Sequence, residues 1–87
     1  MENNKMNIET FGFGDQFTPE DAFELLNSHV VKKEDEHNKN LAIEQIGFVA
    51  GVITLNDEVE IMIKFPKELL QLTKTAFVKQ MTLLEMP

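Results

Sequence analysis

An α+β domain, with two helices on a small, mainly antiparallel sheet in the order β-α-β-β-α, is the fold this 87-residue sequence predicts. Three observations predict it. Thr18-Pro19 starts a helix, the alternating run Val59 to Phe65 follows a longer apolar run across turn residues, and Pro66 opens an apolar stripe that runs to the C-terminus.

Residues 1–6 are polar and expected to fray, which leaves residues 7–87 as a single domain. Residues 7–13, NIETFGF, alternate and suit a short strand at a sheet edge, and Gly14-Asp15 reads as a turn. Thr18 then stands as N-cap with Pro19 at the first helical position, where its missing N–H costs nothing. Glu20 and Asp21 favour the positive end of the helix dipole, and Phe17 is placed to staple onto Ala22. The helix is expected over roughly residues 19–29, burying Phe23, Leu26 and Val30, with Ala22, Leu25 and His29 beside them.

Residues 32–40, KKEDEHNKN, carry no apolar side chain and read as a solvated loop. From Ile46 to Leu55 both faces are apolar or small, as in a central strand covered on both sides. Gly47 and Gly51 mark a bulge or a close backbone approach. Leu55-Asn56-Asp57-Glu58 supplies a hairpin turn into the strand Val59–Phe65. Pro66 is expected to start a last helix of roughly 19 residues, nearly 30 Å long, with Lys67, Gln71, Lys74 and Lys79 opposite or flanking its stripe.

Fifteen acids and eight bases give a net charge of −7, and all eight bases are lysine. Arginine, the residue best suited to bidentate grip on phosphate, is missing, so direct nucleic-acid binding meets repulsion. An acidic chain suits a basic protein surface instead, including one that handles nucleic acid. With no cysteine there is no disulfide framework, thiolate metal site or cysteine nucleophile. The first ten residues show no apolar signal-peptide core and no run approaches a membrane span, so a cytoplasmic location is expected.

No catalytic constellation emerges. Gly12-x-Gly14-x-x-Phe17 lacks the third glycine of a dinucleotide fingerprint, and Asp15, Glu20 and Asp21 oppose a phosphate there. Ser28 and His29 are neighbours that a helix points apart. Glu20 and Glu24 lie one turn apart as surface acids. Two histidines, His29 and His37, with loose acids do not make a metal site. No cofactor or metal is expected.

The sequence therefore points to a small non-catalytic interaction protein, an inhibitor or regulatory accessory factor. Its expected partner-binding residues are Phe11, Phe13, Asp15, Glu20, Asp21, Glu24, Asp57, Glu58 and Glu60. A chain this short has more apolar surface than it can cover, so a homodimer or a stable complex is expected, through the second face of the sheet or the last helix.

Glu24-Leu-Leu-Asn27, with the later hairpin-to-helix run GFVAGVITLNDEVEIMIKFPKELLQLTKTAF, resembles the chemotaxis phosphatase family. That resemblance implies Glu24 and Asn27 acting on an aspartyl phosphate. It stands as the alternative, alongside a small enzyme or ligand-binding subunit whose site forms at a homodimer interface.

Overall fold

The computed structural model describes residues 16–84; the expected strand at 7–13 and the Gly14-Asp15 turn lie outside them. The elements are α1 (Pro19–Leu25), β1 (His29–Lys32), β2 (Gly47–Leu55), β3 (Glu58–Phe65), β4 (Glu68–Leu72), α2 (Lys74–Gln80) and β5 (Met81–Leu84). The strands form one antiparallel sheet in the order β4-β3-β2-β1-β5. The α+β class with two helices holds. The order differs: among the described residues a helix is followed by four strands, a helix and a strand, where α-β-β-α was expected after the strand at 7–13.

The start of α1 follows its sequence signals. Thr18 Oγ1 accepts from the Asp21 N–H at 3.1 Å, and Pro19 opens the helix. The end comes earlier than expected. Asn27 takes a left-handed φ of 70°, which asparagine tolerates better than most residues. Its N–H donates to the Val49 carbonyl at 2.9 Å, and the Val49 N–H returns a bond to the Ser28 carbonyl at 2.9 Å. These bonds latch the chain to β2, so His29 and Val30 continue as a strand rather than a helix. The face that α1 buries also differs: Ala22 and Leu25 are inside, and Phe23 is 59% exposed.

β2 occupies the middle of the sheet, as its two apolar faces require. A bulge between Val49 and Gly51 leaves Ala50 without a cross-strand partner. One extra residue shifts the side-chain alternation. Gly47 and Val49 therefore share the inner face with Val52, while Phe48, Ile53 and Leu55 share the outer one. Asn56 and Asp57, with φ of 51° and 66°, close the hairpin into β3. Ile61, Ile63 and Phe65 of β3 point into the core.

The expected 19-residue last helix is not formed. Pro66 sits in a tight turn, Glu68–Leu72 pair with β3, and the helix is confined to Lys74–Gln80. The Leu-rich run serves as a strand: Leu70 and Leu72 stand across from Ile63 and Ile61 on the core face. Thr73 caps α2 by accepting from the Ala76 N–H at 3.2 Å. After Gln80, Met81 and Leu83 alternate into the core beside β1. Lys74, expected on the solvent side, is 5% exposed.

One core unites both helices with one side of the sheet. Phe17, Ala22, Leu25, Val30, Val49, Ile61, Ile63, Phe65, Leu72, Phe77, Met81 and Leu83 belong to it. Phe17 meets Phe77 in a tilted ring pair at 5.9 Å. The sheet is strongly curled. β1 and β4 are separated by three strand spacings, about 14 Å in a flat sheet, yet Lys32 Nζ lies 2.6 Å from a Glu68 carboxylate oxygen. Both side chains rise from the inner face, so that face is concave.

Candidate functional site

Concavity gives the protein two unlike surfaces. The inner side is closed by α1 and α2, and the outer face of the sheet carries the other half of every strand. The expected site residues divide between them. Glu20, Asp21 and Glu24 lie on α1, whose buried residues Ala22 and Leu25 hold it against the inner side. Glu58 and Glu60 stand on the outer face, across from Leu55 and Ile53, with Asp57 in the turn beside them. The two acidic groups are thus on opposite sides of the sheet. Phe11, Phe13 and Asp15 lie outside the described residues.

On α1 the exposed residues form an aromatic spot within acid. Phe23 lies one turn from Glu20, and Glu20 and Glu24 share a face at i,i+4. None of Glu20, Asp21 and Glu24 enters an ion pair among the described residues. Phe23 was hidden from sequence reasoning because two adjacent faces of α1 are both apolar. The latch at Asn27 and the packing of Phe17, Ala22 and Leu25 into the core accompany the face that turns inward.

The outer face is mapped by the strand register. Its successive pairs are Leu55 with Glu58, Ile53 with Glu60, Gly51 with Met62, and Phe48 with Lys64. Leu69 lies beside Lys64 on the β4 side, and His29 beside Phe48 on the β1 side. Phe48, Leu55 and Leu69 are 38%, 45% and 55% exposed. The Gln71 side-chain amide donates to Glu60 at 2.8 Å, fixing that carboxylate on the face. Lys64 Nζ donates to the Phe65 carbonyl at 2.7 Å and the Pro66 carbonyl at 3.3 Å.

No family model matches the chain, and no curated protein or solved structure matches it either.

An open cleft of about 470 Å³ lies between the end of β1 and the start of β5, lined by Lys32, Lys33, Glu34, Leu70, Gln80 and Met81. It contains none of the expected site residues and no nucleophile–base pair. Hydrogen bonding to Glu68 is the main cause that holds the Lys32 ammonium above its ordinary pKa. Desolvation acts in the other direction, and the negative charges of Glu68, Glu34 and Asp35 add to the rise. Glu24 and Asn27 do not share one helical segment. α1 ends at Leu25, and Asn27 is turned onto β2 by its left-handed backbone. Ser28 and His29 fall at the helix–strand junction, where the Ser28 carbonyl is bonded to β2. Among the described residues no group of three or more His, Asp or Glu side chains is placed to hold a metal. No helix among them is long and apolar enough to cross a membrane.

Proposed function

We propose that the chain is a small acidic, non-catalytic interaction protein, an inhibitor or regulatory accessory factor. It docks on a larger protein through the outward side of α1. The observation that carries this reading is Phe23, 59% exposed on a helix whose acids Glu20, Asp21 and Glu24 are not neutralised by any lysine among the described residues. A solvent-exposed ring is an anchor for a pocket on a partner, and the surrounding acids select a partner whose pocket is rimmed with Lys or Arg. A surface that handles nucleic acid has that chemistry. The net charge of −7 steers such an encounter over distances beyond the contact itself.

The test is affinity capture with three forms of the tagged chain: wild type, Phe23→Ser, and the pair Glu20→Lys with Glu24→Lys. All three positions are exposed, so folding is expected to survive. The wild type should retain a protein that elutes as salt is raised, and both variants should lose it. A retained protein that ignores salt and both sets of substitutions contradicts the reading, as does an empty capture.

A further inference from the structure

Along the outer face of β3 the side chains read Glu58, Glu60, Met62 and Lys64, a charge order that runs from acid to base about Met62. On β2 the same levels read Leu55, Ile53, Gly51 and Phe48. Consider a two-fold axis lying between two such faces and crossing the strands at the level of Met62. It reverses strand direction and sets β3 on β3 and β2 on β2. Glu60 of each copy then faces Lys64 of the other, Ile53 faces Phe48, and Met62 meets Met62. At the centre of β2, Gly51 meets Gly51 with no side chain to hold the sheets apart. The pattern is self-complementary in charge and in bulk, as an isologous interface has to be.

We infer that the outer face of the sheet is the docking site for a second copy of this chain, in a face-to-face dimer with this symmetry. The exposed apolar residues Phe48 and Leu55 lose water in it. The Gln71 bond leaves Glu60 one carboxylate oxygen to offer across the interface, and Lys64 swings from its own carbonyls to meet it. The acid-ringed Phe23 of each copy stays on the outside of the pair, because α1 lies on the opposite side of the sheet. The dimer is therefore independent of the docking proposed for α1, and it presents two copies of that surface.

The test uses Glu60→Lys and Lys64→Glu, each alone and then mixed, in sedimentation velocity over a wide concentration range. Wild type should reach twice its 10.0 kDa mass. Each variant alone should dimerise at least about tenfold more weakly, since both symmetry-related pairs turn from attraction to repulsion. The equimolar mixture should recover the dimer. In it Lys64 and the one lysine introduced by Glu60→Lys on the first chain face Glu60 and the one glutamate introduced by Lys64→Glu on the second. That recovery also shows that both variants fold. Phe23→Ser should dimerise like wild type, which separates this interface from the α1 surface. A wild type that stays at 10.0 kDa throughout, as it would if its own remaining residues or another protein covered the face, overturns the inference. So do single variants that dimerise like wild type, or a mixture that does no better than either variant alone.

Discussion

Gly47 shows how one missing side chain fixes a core. A Cβ built there would lie 2.9 Å from the Phe65 ring, closer than carbon atoms tolerate. The ring cannot retreat freely, because it is 2% exposed and Lys32 Nζ lies 5.4 Å over it. Gly47→Ala should therefore destabilise the protein by about 1–3 kcal/mol in denaturant unfolding. A neutral Gly47→Ala variant would mean that Phe65 does not cross β2 as described. Lys32 makes a second prediction at this scale. Its pKa is raised in the folded protein, so the stability from its pairing with Glu68 is fully present below the ordinary lysine value of 10.5 and is lost as pH rises through the folded value. Both partners are more than a third exposed, so the pair is worth only about 0.2–1 kcal/mol. Against Lys32→Met, which keeps a stem over Phe65, the stability difference should hold through neutral pH and shift against wild type above that value. A difference that is flat across the alkaline range would contradict the pairing.

At the scale of elements, legibility followed the locality of the cause. The cap at Thr18, the β2–β3 hairpin and the inward alternation of Ile61, Ile63 and Phe65 rest on neighbours within a few residues, and all were readable. The last stretch was not, because apolar residues at 69, 70, 72, 76, 77, 81 and 84 fit a helical stripe as well as two strands. The choice was made by cross-strand pairing: Ile61 and Ile63 for β4, across the tight turn at Pro66, and Val30, far away in the chain, for β5. Thr73 was the local signal available, since it caps a helix only from that point onward. The end of α1 was likewise set by a distant carbonyl, that of Val49. Of the candidate site, the acids of α1 and of the hairpin were legible as charge. Their separation onto two sides of a curled sheet was not, nor was the exposure of Phe23. The hairpin gives the prediction for this scale. Asp57 holds φ at 66°, a region that costs a side-chain-bearing residue up to about 1–2 kcal/mol and costs glycine little. Asp57→Gly should leave stability unchanged or raise it by up to about 1 kcal/mol, read as a higher unfolding midpoint. A clear loss would count against the turn.

For the whole molecule, the sheet's curl is what separates the two proposed surfaces. It gathers one side of every strand around Phe65 and Phe77, and turns Phe48, Ile53, Leu55, Met62 and Leu69 to the other. Among the described residues two short helices cover one face; on the other, Val31 is buried at the β1 end, where Thr82 bonds Glu36, and the β2–β3 part is the surface proposed for association. Pairing two such faces buries the apolar side and leaves the acid-ringed Phe23 outward on each copy. The most direct measurement is methyl NMR of the methionines over a dilution series. Met62 stands at the proposed two-fold axis, and Met81, 1% exposed, sits in the core. The Met62 methyl resonance should move with concentration while that of Met81 stays fixed. A Met62 resonance that does not move on dilution, in a protein that remains a monomer, would contradict the account.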